Sequence, residues 1–141
     1  MATKTPIDLR LRILFEPGGP PLGPGKIDLL EQIAAGGSLV RAAHELGMSY
    51  RRAWALVQEL AGMFGQPVVV TMVGGAAGGG AELTPFARRL IASYRAVEAA
   101  TLAAASREFA FAVRARAHPR RDARRPVKKA RPGSRRARAR R

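Results

Sequence analysis

The sequence predicts a mainly α-helical domain with one small β-hairpin, followed by a disordered basic tail, on three observations. Apolar residues recur at three-to-four spacing through most of residues 26–113, with one β-branched run between them. Two short helical stretches meet around a single glycine, Gly47. Charge is divided unevenly: 25 Lys and Arg against 10 Asp and Glu give +15 over 141 residues, yet residues 114–141 alone hold 14 basic side chains and one acidic one. The first part has the apolar content for a core; the tail has almost nothing to bury. The absence of cysteine excludes disulfides, thiolate metal sites and cysteine nucleophiles. Two histidines, His44 and His118, supply metal sites and histidine-based triads poorly. With no apolar run of about 18 residues and no signal peptide at the start, a cytoplasmic protein with a polyanionic partner and no membrane association is expected.

Ile7, Leu9, Leu11 and Ile13 alternate with Asp8, Arg10 and Arg12, which predicts a half-buried strand. Residues 17–25, PGGPPLGPG, predict a loop. From Lys26 the period becomes helical, with Ile27, Leu30, Ile33 and Ala34 on one face, until Gly36-Gly37 stops it. Ser38 is placed to cap a short helix, Leu39 to about Leu46, and Ser49 to cap a longer one running to about Phe64. The inner face of the longer helix is Ala53, Leu56, Val57, Leu60 and Phe64. Residues 68–73, VVVTMV, predict a strand, the glycine- and alanine-rich residues 74–80 a mobile tip, and Ala81–Leu83 the return strand. Thr84-Pro85 starts a helix with no internal glycine or proline, expected to continue to near Val113. Phe86, Leu90, Tyr94, Val97, Thr101 and Ala104 form a stripe on it suited to helix–helix packing. The domain is therefore expected over 1–113 and the proline-broken, arginine-rich tail over 114–141.

Two helices around a three-residue turn make a helix-turn-helix. Counted from Leu39, a small residue falls fifth (Ala43) and glycine ninth (Gly47), with apolar residues at the fourth, eighth, tenth, fifteenth and eighteenth places. A small fifth residue lets the helices cross closely, and glycine accepts the left-handed turn. On a helical wheel Arg51, Ala55, Gln58 and Gly62 lie opposite the inner face. Arg51 suits guanine O6/N7, Gln58 adenine and Ala55 a thymine methyl, while Ser49, Tyr50 and Arg52 suit phosphates at a helix N-terminus. Trp54 is expected to pack on a flank, and His44 to be exposed or on a phosphate. An ordinary αα-hairpin in a core is the plainer alternative. The glycine tract lacks the lysine and Ser/Thr of a phosphate-binding loop, and Glu45, Glu59 and Glu82 have no partner suited to acid–base work, so no enzyme, cofactor or metal is expected.

The stretch from Gly25 to Leu90, with GSLVRAAHELGMSYRRAW, FGQP and LTPFARRL, resembles the DNA-binding domain of ModE-type molybdenum-dependent regulators, themselves related in that domain to LysR-type regulators. The resemblance covers about residues 7–113. It implies a winged helix-turn-helix with Tyr50 to Phe64 as recognition helix. The wing would carry Gly74, Gly75, Gly78, Gly79 and Gly80, and the last helix would pair two subunits through Phe86, Leu90, Tyr94 and Val97. In that family the second half of a full-length chain holds oxyanion-binding domains. The 28 residues after Val113 do not match such domains, so no molybdate site or other effector is expected within this chain.

The expected function is a homodimeric, sequence-specific transcription regulator bound to double-stranded DNA, with molybdate-related genes as candidate targets. Arg120, Arg121, Arg124, Arg125, Lys128 and Lys129 of the tail would add non-specific phosphate contacts. The alternative is a low-specificity DNA-compacting protein dominated by the tail. An RNA-binding role lacks an aromatic stacking surface in the tail.

Overall fold

A computed structural model describes residues 5–73 and 79–118. Seven elements follow in order: α1 (Pro24–Gly36), α2 (Leu39–Glu45), α3 (Tyr50–Phe64), β1 (Val69–Met72), β2 (Gly80–Leu83), α4 (Pro85–Glu108) and α5 (Ala110–Ala117). Of the residues expected at the wing tip, Gly74, Gly75 and Gly78 lie outside the described residues. So do the tail residues Arg120, Arg121, Arg124, Arg125, Lys128 and Lys129.

The expected N-terminal strand is not a ladder strand. Ile7, Leu9, Leu11 and Ile13 do turn inward while Asp8, Arg10 and Arg12 face solvent, so the period-2 pattern holds. Yet the chain pairs only at Ile13, whose N–H and C=O exchange 2.8 Å hydrogen bonds with those of Leu22. Its partner lies in a proline- and glycine-rich stretch with few free N–H groups, which cannot extend a ladder. That stretch also yields sooner than expected: α1 begins at Pro24, a proline suited to the first helical turn where an N–H has no intrahelical acceptor.

The core is built from Leu22, α1 (Ile27, Leu29, Leu30, Ile33), α2 (Leu39, Ala42, Ala43), α3 (Ala53, Val57, Leu60), Val68 just before β1, β2 (Ala81, Leu83) and α4 (Ala87, Tyr94). Each fully buried aliphatic side chain contributes roughly 1.5–3 kcal/mol. β1 and β2 pair antiparallel in the register Val69 with Leu83, Val70 with Glu82, Thr71 with Ala81 and Met72 with Gly80. β2 docks on the α1–α2 turn, where Ala81 N–H donates to Gly37 O at 2.9 Å. Glycine at position 79 has a steric reason, because a Cβ there would stand 2.9 Å from the Met72 carbonyl oxygen.

The long last helix departs from expectation twice. It breaks at Phe109, where the backbone leaves helical geometry at φ −98° and ψ 12°, and α5 then runs on to Ala117. A boundary at residue 113 therefore falls inside a helix. Beyond Tyr94 neither α4 nor α5 buries a residue, so no core contact imposes one straight axis there. Tyr94, expected on the pairing stripe, is instead 1% exposed, and its hydroxyl donates to Leu11 O at 2.9 Å. It ties the N-terminal segment to α4 and is not available to a partner.

Candidate nucleic-acid interface

The two short helices of the turn are held from both ends. Ser38 Oγ accepts from Arg41 N–H at 3.2 Å and Ser49 Oγ from Arg52 N–H at 3.1 Å, each capping its helix. Between them Gly47 adopts φ +64°, and its N–H reaches His44 O at 3.0 Å while Met48 N–H reaches Ala43 O at 3.0 Å. A β-carbon would be strained at that φ. Ala43 is buried where α2 meets α3, so its small side chain sets the close crossing that the fifth position was expected to provide.

With Ala53, Val57 and Leu60 locked inward and Leu56 and Phe64 half-buried, α3 presents Arg51, Ala55, Gln58 and Gly62 to solvent on one face. Arg52 and Tyr50 are also exposed, at the N-terminal turn, with Arg41 and His44 exposed on α2. Trp54, on the flank of α3, is 38% exposed. Arg41, Arg51 and Arg52 make no ion pair among the described residues. Ser49 accepts the Arg52 N–H, which leaves its hydroxyl proton free to donate. The site is thus a cationic, hydrogen-bonding helix face beside a capped helix N-terminus.

Glu59, the one carboxylate on α3, has a partner that periodicity did not reveal. Lys26, in the first turn of α1, is 9% exposed; its Nζ donates to Pro21 O at 2.7 Å and stands 3.3 Å from Glu59 Oε2. The pair satisfies a buried ammonium and offsets a negative charge on the flank of α3.

Sequence reasoning also missed Arg95. Its guanidinium bridges Glu31 in bidentate fashion (2.9 and 2.8 Å), Asp28 at 2.7 Å and Glu98 at 2.9 Å, fastening α4 to α1. Two of the partners are 64 and 67 residues distant in sequence, beyond the reach of any local pattern. The Arg95 hydrogen bonds, with its charge, hold the Glu31 carboxyl below its ordinary range against the opposing effect of desolvation. The guanidinium in turn is held more firmly protonated, chiefly by Glu31. Burial, then Glu98, pushes the Tyr94 phenol up.

Of the residues expected to pair two subunits, Tyr94 is buried, while Phe86 and Leu90 are half-buried against the core. Phe86 lies 5.4 Å from the Phe64 ring, which itself meets Phe15 at 5.1 Å. Val97, at 47% exposed, is the member that stands open. Gly80 and Gly79 sit at the tip end of the hairpin, the latter exposed. Among the described residues no helix is long and apolar enough to cross a membrane, and no cluster of three His, Asp or Glu could hold a metal ion.

No protein-family model matches the chain. It is 44% identical over 87 residues to the molybdenum-pterin-binding protein MopB of Rhodobacter capsulatus, covering 62% of this chain and 32% of MopB. Similarity to the molybdenum transport protein ModE of Azotobacter vinelandii is 41% over 80 residues, 57% of this chain and 30% of that protein. The DNA-binding transcriptional dual regulator ModE of Escherichia coli K12 is 39% identical over 71 residues, 50% of this chain and 27% of that regulator. The chain thus matches about a third of the length of these curated relatives. Among solved structures, the CbnR_DBD–DNA complex aligns with a TM-score of 0.49 at 19% identity, covering 62% of this chain and 95% of that one.

Proposed function

We propose that this chain is the sequence-specific DNA-binding unit of a transcription regulator, working as a homodimer on double-stranded DNA in the cytoplasm. The observation that carries the reading is the exposed Arg51–Ala55–Gln58–Gly62 face of α3, held rigidly by two serine caps and a glycine turn. α3 lies in the major groove with Arg51 and Gln58 on base edges and Ala55 against a methyl group. Arg52, Tyr50, Arg41 and the Ser49 hydroxyl fix its register on phosphates, aided by the positive end of the helix. The hairpin lies beside the adjoining backbone.

Support comes from the relatives: the Escherichia coli protein is a DNA-binding transcriptional dual regulator, and the others are molybdenum-pterin-binding and molybdenum transport proteins. Genes of molybdenum metabolism are accordingly the proposed targets. Molybdate sensing is not assigned to the described residues. The test is the ratio of affinities for the upstream DNA of such genes and for random DNA at one salt concentration. A preference of roughly 10³ or more is expected; near-equal binding would instead indicate a DNA-compacting protein.

A further inference from the structure

Glycine inside an exposed helix is unfavourable relative to alanine, yet Gly62 stands near the end of α3. A β-carbon there would meet nothing within 4 Å, so no neighbour within the chain demands it. The bare helix surface instead borders a hollow of about 390 Å³ between α3 and residues 15–20, walled by Phe15, Met63, Gly18 and Gly19 and by the carboxylates Glu16 and Glu59. The wall opposite α3 is fixed. Ile13 and Leu22 close its base through two 2.8 Å hydrogen bonds, and Gly18 N–H donates to Phe15 O at 3.2 Å. Gly18 and Gly19 take φ +111° and +144°, which favour glycine. Phe15, whose ring lies 5.1 Å from that of Phe64, stays 44% exposed. No Lys or Arg lines the hollow. Among the described residues Glu16 makes no ion pair, and Glu59 pairs only with Lys26. On a chain of net charge +15, a hollow lined by charge of the opposite sign stands apart.

We propose that the hollow between α3 and residues 15–20 binds a small organic cation, an amidinium or guanidinium on an apolar body. The site is separate from the DNA-reading face and does not depend on it. A planar amidinium presents paired N–H donors to a carboxylate, and an aromatic face attracts the same charge. Phe15 and Met63 cover the apolar body, while Gly18, Gly19 and Gly62 let it approach the backbone closely. The volume is ordinary for a small-molecule site. Phosphates and other anions are repelled by Glu16 and Glu59, so DNA does not fill the hollow although it adjoins α3. A wholly apolar ligand would cover the carboxylates without pairing them. Occupancy ties residues 15–20 to α3 and offsets negative charge on its flank, which places the site to carry a ligand's signal to the helix.

The probe is benzamidine, with benzamide as its neutral isostere. In amide NMR spectra of the full-length chain, benzamidine is expected to move the resonances of Phe15, Glu16, Gly18, Gly19 and Gly62 with a Kd of about 1 mM or below. Benzamide should bind about tenfold more weakly, because it lacks the charge. Glu16→Gln should weaken benzamidine about threefold or more and leave the melting temperature unchanged, since that carboxylate has no ion-pair partner among the described residues. Gly62→Leu should fill the floor of the hollow and abolish binding, while melting holds or rises because leucine is the better helix former. No shift with benzamidine, or equal binding of benzamide, overturns the proposal. So do shifts spread over exposed carboxylates such as Glu45 and Glu108, and a Gly62→Leu variant that binds like the parent. If Glu16→Gln alone moves the resonances of residues 119–141, the hollow belongs to the chain's own arginines and the small-ligand site is overturned.

Discussion

Arg51 and Arg95 share a side chain and differ in everything around it. Arg95 is engaged by three carboxylates at 2.7–2.9 Å, whereas Arg51 projects from α3 with no partner among the described residues. A guanidinium left unpaired on a rigid helix face is pre-organised for a bidentate base contact. Arg51→Ala should cost on the order of 1–3 kcal/mol at the cognate site and far less on random DNA. Isotherms on both DNAs check it, and equal losses would make Arg51 a phosphate contact. Arg95 instead links acidity to stability. Because Arg95 hydrogen-bonds Glu31, the folded carboxyl titrates below its unfolded value, so the folded state binds fewer protons. The resulting stability is present above the ordinary carboxylate range of about 4 and is lost as pH falls through the folded value. Both side chains are more than a third exposed, so screening limits the loss in Glu31→Gln to about 1 kcal/mol at neutral pH. Urea titrations of both proteins should converge as pH drops below the carboxylate range. A gap constant from pH 7 to pH 3 would show that the ion pair is not its source.

At the scale of elements, Thr84 shows how one residue joins two of them. Its hydroxyl oxygen accepts from Ala87 N–H at 3.2 Å, capping α4, while its proton goes to Pro67 O at 2.9 Å, just before β1. Thr84→Ala removes both bonds and should destabilise the domain by about 1–2 kcal/mol, whereas Thr84→Ser should retain most of that. Urea midpoints of the two variants decide it; equal losses would mean the hydroxyl is not what matters. The Thr84-Pro85 start was legible because a cap is a local signal, as were Ser38, Ser49, Gly47 and the inward set of α3. The hairpin was legible for the same reason, its β-branched run being bounded by glycine and proline. What could not be read depended on packing between distant segments. Ile7–Ile13 has a strand's alternation but a partner able to pair at only one position, Leu22. Lys26, four residues before Leu30 and seven before Ile33, lies on their face of the wheel, and a loop carbonyl and a carboxylate on α3 make its burial tolerable. The end of α4 at Phe109 has no glycine or proline to announce it. Tyr94 belonged to a credible surface stripe until Leu11 arrived over it. For the candidate interface the outer face of α3 followed from periodicity alone, because a helix locked on one side must expose the other.

Over the whole molecule the charge separates into two parts with different work. Among the described residues Asp8, Asp28, Glu31, Glu59 and Glu98 form ion pairs with Arg10, Lys26 and Arg95 while Arg41, Arg51 and Arg52 form none, and residues 119–141 hold twelve basic side chains and one acidic one. Such a segment can meet phosphates of any sequence, and its contribution depends on salt because each contact releases counterions. The α3 face proposed to read bases should contribute little to that slope. Removal of residues 119–141 keeps α5 whole, which a cut after residue 113 would not. If the removed segment neutralises about five phosphates per subunit, the slope of log K against log salt should fall by roughly 4.5 per subunit, at about 0.9 per contact. Affinity for random DNA should collapse at low salt, and the ratio of cognate to random binding should hold or rise, since the tail strengthens both alike. Isotherms at four or five salt concentrations, with and without residues 119–141, measure slope and ratio together. An unchanged slope would leave the basic segment with solubility as its role. A slope that falls together with the specificity ratio would place base-reading groups within residues 119–141.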